Sequence, residues 1–143
     1  MSIQLRIGEG AYSLAEGDDD FAILDGGPGG LLSSTRPVDE AGLETAIERA
    51  EDWLMPRAAR LRDGVLEVSD ATGTLRSGMH DVLSVTSLAW STDDVESFFL
   101  QLVDMATGRV PAAKLAGRQH FVAHVLLLRE LAHHGALSRI RLA

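Results

Sequence analysis

Four of the five histidines lie between Arg118 and Ser138, in the stretch RQHFVAHVLLLRELAHHGALS. His120 and His124 stand four residues apart. On a helix, that spacing puts two imidazoles on one face, where they can share a metal such as zinc. The residues between them are Phe121, Val122 and Ala123, so the glutamate that serves as base in helical zinc-protease motifs is missing. His134 falls near the same face, but about 21 Å further along the axis at about 1.5 Å per residue. It cannot join the same ion. A third ligand must come from elsewhere in the chain, and His80 is a candidate. One expectation is therefore a divalent metal or small ligand held by His120, His124 and His80. The main expectation is that no cofactor is bound.

A plainer reading treats this stretch as a core helix. At about 100° per residue, His124 falls in one arc with Leu127, Leu128 and Leu131. A buried histidine there needs one polar partner. His133 and His134, in the last turn, complement the negative end of the helix dipole. Val122 and Leu126 carry the apolar surface past one face, with Arg129 nearby. A helix that is apolar most of the way round is buried on two sides, by its own fold or by a second subunit. Val122, Leu126 and Arg129 are accordingly candidate interface residues of a homodimer.

Other segments carry less chemistry. Gly26-Gly27-Pro28-Gly29-Gly30 lacks the Lys-Ser/Thr of a phosphate loop and the third glycine of a dinucleotide fingerprint, and reads as a flexible loop over residues 26–35. Asp18-Asp19-Asp20 places neighbouring carboxylates on opposite faces of an extended chain, a poor cation cage. His80-Asp81 pairs a histidine with a carboxylate, but no nucleophile motif accompanies it. No catalytic residue is assigned.

Composition narrows the classes. The 143 residues suit one domain, 1–143, with its own core. The absence of cysteine removes disulfides and thiolate chemistry. The net charge of −8 argues against nucleic acid and anionic membranes as partners. Twelve arginines against one lysine, with no asparagine, suggest a GC-rich bacterial coding bias. MSIQLRIGEG shows no apolar stretch behind a basic one, and no run approaches a membrane span, so a cytoplasmic protein is expected.

The elements follow from periodicity. Alternation predicts strands at residues 2–7 and 139–142, and turn signals and a short apolar run predict further ones at 11–15, 21–25 and 65–68. The β-branched run VLSVTSLA, residues 82–89, reads as a longer strand, so the middle of the chain reads as an antiparallel meander with turns at Asp63-Gly64 and 69–73. Helical spacing predicts helices from about Asp39 to Leu54, from Thr92 to Ala106, and from Pro111 to about His134. The expected fold is α+β: an antiparallel sheet of five to seven strands, with three main helices mostly on one face. The expected function is a small acidic, non-enzymatic interaction protein (adaptor, chaperone or inhibitor), homodimeric or bound to a protein partner. The alternative is a metal- or small-ligand-binding protein, enzymatic or not, built on the histidines of the last helix.

Overall fold

A computed structural model describes residues 2–62 and 64–143. Alternating apolar and polar residues form β1 (Ser2–Ile7), β2 (Ala11–Glu16) and β3 (Asp19–Asp25), which pair as an antiparallel meander. Ile3, Leu5 and Ile7 are buried, while Gln4 and Arg6 face the other side. Then come α1 (Gly27–Leu31), α2 (Glu40–Leu54), β4 (Val65–Asp70) and α3 (Thr74–Leu83). The chain continues through β5 (Ala89–Trp90), α4 (Thr92–Ala106), α5 (Gln119–His134) and β6 (Arg139–Leu142). Of the expected turn at Asp63-Gly64, Asp63 lies outside the described residues.

The six strands form one sheet in the order β3-β2-β1-β4-β6-β5. The fold is α+β, but the sheet is mixed, not antiparallel. β4 runs parallel to β1, and β6 parallel to β4. Hairpins announce themselves through short turns. A parallel partner is reached by a long crossover, and alternation within a strand does not name it.

The expected central meander is corrected in the same way. Residues 74–83 are helical, because Leu75, Met79 and Val82 recur at helical spacing and are buried. Val82 and Leu83 therefore close a helix and do not open a strand. Ser84 takes a left-handed conformation, φ 55°, and its N–H and that of Val85 satisfy the carbonyls of His80 and Met79. Only Ala89 and Trp90 of the following residues pair in the sheet. The glycine-rich stretch, expected as a loop, contains the helical turn α1. Gly27 has φ 53°, and a Cβ there would lie 2.9 Å from the Ala11 nitrogen. The last helix begins at Gln119, not at Pro111.

One face of the sheet is apolar: Leu5, Leu14, Leu66, Val68 and Ile140 are fully buried. The opposite face carries exposed ion pairs, Arg6–Asp20 at 2.7 Å and Arg141–Glu67 at 3.0 Å. Helix α5 lies at the centre of the helical layer, and α1, α2, α3 and α4 all pack against it. No helix of the described residues is long and apolar enough to cross a membrane.

Helices α3 and α5 approach closely at Gly78. A Cβ on Gly78 would sit 2.2 Å from the ring of Phe121, which is fully buried. Gly78→Ala gains about 1 kcal/mol of helix propensity but forces the ring to move, at about 1–3 kcal/mol or more. We expect net destabilisation in urea unfolding. An unchanged midpoint would mean that this contact is loose.

Candidate functional site

Strands β1, β3, β4 and β6 run in one direction, so their carboxyl ends share one edge of the sheet. From β1 the chain turns to β2 on one side. From β4 it proceeds toward the other. The winding reverses between β1 and β4, the place where open sheets with this kind of winding commonly hold ligands, beyond the carboxyl ends.

Four segments meet at this edge. The turn Gly8–Gly10 joins β1 to β2, and its Gly10 carbonyl accepts from the Gly26 N–H at the start of α1, 3.0 Å. The turn from β4 to α3 is fastened by Asp70. One of its carboxylate oxygens accepts from the Thr72 N–H and hydroxyl, the other from the Leu75 N–H at 2.8 Å. The N-terminus of α3 is thus already occupied by a carboxylate. The first turn of α5 is different: no side chain caps it and it holds no acidic residue. It opens into a cleft of about 410 Å³ lined by Ser34, Thr74, Ser77, Arg118, Gln119 and His120.

Behind the cleft, α5 turns inward. His124 is 1% exposed and its Nδ1 lies 2.7 Å from the Tyr12 hydroxyl on β2. The rings meet edge to face, 5.6 Å apart. Burial, and then the charge of Asp70, push the Tyr12 phenol well above its ordinary value, so it keeps its proton. Burial pushes His124 down to about 4, with Asp70 opposing and His120 adding to the fall. His124 is therefore neutral at pH 7. A protonated Tyr12 and a neutral His124 thus share one hydrogen bond between the hydroxyl and Nδ1. The pair ties α5 to the sheet directly below the cleft.

The candidate residues separate. His120 lines the cleft, half-buried, and a Cβ on Gly29 would lie 4.0 Å from its Nε2. His124 faces the core. His80, with its side chain 70% exposed, bonds Asp81 at 2.9 Å, and Asp81 in turn accepts from Arg118 at 2.9 Å. The His80 and Arg118 bonds hold the Asp81 carboxyl below its ordinary value. Among the described residues, no metal-ligand group of three forms around His120, His124 or His80. The interface expectation is corrected. Val122 and Leu126 are fully buried within the chain itself and offer nothing to a second subunit. Arg129 is paired with Glu96 and Glu130. The sequence reading missed Arg118, Thr74 and Ser77. The i, i+3 spacing of Thr74 and Ser77 is a usable signal once residues 74–83 are read as a helix.

No protein-family model matches the chain, and no curated protein matches it in sequence. Solved structures share its fold. An exopolyphosphatase from Cytophaga hutchinsonii superposes with a TM-score of 0.62 at 15% identity, over 100% of this chain and 53% of that one. The Aquifex aeolicus PPX-GPPA enzyme gives 0.64 at 10% identity, over 99% and 52%. The type II variant of the Aquifex aeolicus Ppx/GppA phosphatase gives 0.62 at 10%, over 99% and 52%. The chain spans about half the length of these proteins. At such identities the likeness concerns the fold alone. It nevertheless corrects the expectation of a non-enzymatic adaptor, chaperone or inhibitor defined by protein–protein interaction, because the fold is one that enzymes use.

The depressed His124 value has a consequence for stability. Its folded value, about 4, lies below the ordinary 6.5. Between those values the unfolded chain takes up a proton that the native chain refuses, so stability falls as pH drops from about 6.5 to 4. From pH 7.5 to pH 5 this group alone removes about 2 kcal/mol. Urea unfolding at the two pH values should show a drop that is smaller by about that amount in His124→Gln. An equal drop in both proteins would show that His124 charges freely in the fold.

Proposed function

We propose that this domain binds a small phosphate-bearing ligand in the cleft between α3 and α5. The observation that carries the reading is the first turn of α5. It enters the cleft uncapped and free of acidic residues, with Arg118 and His120 beside it. Free N–H groups at a helix N-terminus, with its positive dipole end, favour an anion. Helices α2 and α4 differ: Asp39 and the Ser91–Asp94 capping box occupy their N-termini. Arg118 supplies a charge, while Thr74, Ser77 and Ser34 supply hydroxyls. That solved proteins of this fold are named as an exopolyphosphatase and a phosphatase agrees with a phosphate-bearing ligand.

In this reading, His120 is the contact, and His124, held by Tyr12, positions it from one helical turn below. His80 acts at a distance, by engaging Asp81 and so setting Arg118. Because the chain spans about half the length of the solved proteins, a chemical step is proposed to need groups from a further domain or a partner protein. A cytoplasmic setting is part of the same proposal.

Calorimetric titration with inorganic pyrophosphate and tripolyphosphate tests this. We expect saturable binding that weakens about tenfold in His120→Ala and in Arg118→Ala. Asp81→Asn, which releases Arg118 from its partner, should bind at least as well as the unaltered chain. Binding that is absent, or indifferent to His120 and Arg118, contradicts the proposal.

A further inference from the structure

Glu130 presents a problem that the fold leaves half solved. Its side chain is 0% exposed, in a helix surrounded by leucines. Burying a carboxylate is costly unless each oxygen is served. Oε1 accepts from Arg129 at 2.7 Å, and Arg129 is itself held by Glu96 at 2.9 Å. Oε2 has no hydrogen-bond partner. It faces the Nε2 of His134, one turn further along α5, at 3.1 Å. That nitrogen is also buried and unpartnered: the two atoms are close, yet their directions form no hydrogen bond. Oε1 of Glu51, on α2, lies 3.7 Å from the same nitrogen.

We propose that Glu51, Glu130 and His134 form a site for a divalent transition-metal ion such as zinc. The three ligand atoms lie within 4.8 Å of one another. Ligand atoms at about 2.0–2.1 Å from a tetrahedral zinc stand about 3.3 Å apart. The two separations from the His134 nitrogen, 3.1 and 3.7 Å, fall on either side of that value. A shared ion also explains why Nε2 and Oε2 point past each other. A hydrogen bond wants donor and acceptor in line, whereas two ligands of one metal converge on a third point. Arg129 fixes the Glu130 carboxylate from behind, the arrangement by which outer groups orient a metal ligand. The site closes the carboxyl end of α5, where the helix dipole favours a cation. With three protein ligands, the fourth position is left for water. Its donors come from α2 and from the last turns of α5, and none of them lines the phosphate cleft at the first turn.

The test uses the full chain, purified without a histidine tag and titrated with zinc alone by calorimetry. We expect one zinc per chain and a higher thermal midpoint with zinc present. Glu51→Gln and His134→Ala, both at partly exposed positions, should keep the fold by circular dichroism and weaken binding at least about tenfold. His120→Ala should leave zinc affinity unchanged. If zinc fails to bind, or binds equally well in Glu51→Gln and His134→Ala, the proposal is overturned.

Discussion

The structure depends on burying α5 on every side. From Phe121 to Leu128 the helix has no exposed residue, and the sheet and the four other helices form its surroundings. Burial of that kind supplies most of the folding free energy in a domain of this size. It also sets the terms for every polar group the helix carries. His124 is buried against Tyr12, and that burial keeps it neutral at pH 7. Glu130 is placed where Arg129 serves one oxygen and leaves the other facing His134.

Close packing around one helix needs gaps in the side chains of its neighbours. Gly78 lets α3 lie against Phe121, and Gly135 lets the end of α5 pass Leu61, whose Cβ would be 2.7 Å from any added Cβ. With α5 fixed in this way, both of its ends are fixed too. The amino end opens beside the carboxyl ends of the parallel strands, next to Thr74 and Ser77. The carboxyl end meets α2 at Glu51. The two candidate sites are thus consequences of one packing decision, and they lie at opposite ends of the same rod.

The elements were largely legible where they are local. Alternation marked β1 and β6, turn signals and a short apolar run marked β2, β3 and β4, and helical spacing marked α2, α4 and most of α5. What misled was also physical. VLSVTSLA is rich in β-branched residues, but Val82 belongs to the stripe of Leu75 and Met79, and burial of that stripe outweighed β propensity. Pro111 looked like a helix start, yet Gly117, with φ 72°, breaks the chain before Gln119. Parallel pairing of β1 with β4 leaves no local mark. At the site, the angular reading placed His124 in the core and separated it from His134. It left Val122 and Leu126 open between cover by the chain's own elements and by a second subunit, and the chain's own elements cover them. Nor did it weigh Glu130 with His134, although they carry the same i, i+4 spacing that drew attention to His120 and His124.

The central claim is that the uncapped first turn of α5 receives a phosphate group. The most direct measurement is a titration of the isotope-labelled chain with pyrophosphate, followed through backbone amide resonances. The account predicts saturable shifts centred on the amides of Gln119, His120 and Phe121, with smaller ones at Thr74 and Ser77. Shifts that leave those three amides still, or that concentrate on another face of the molecule, would contradict it.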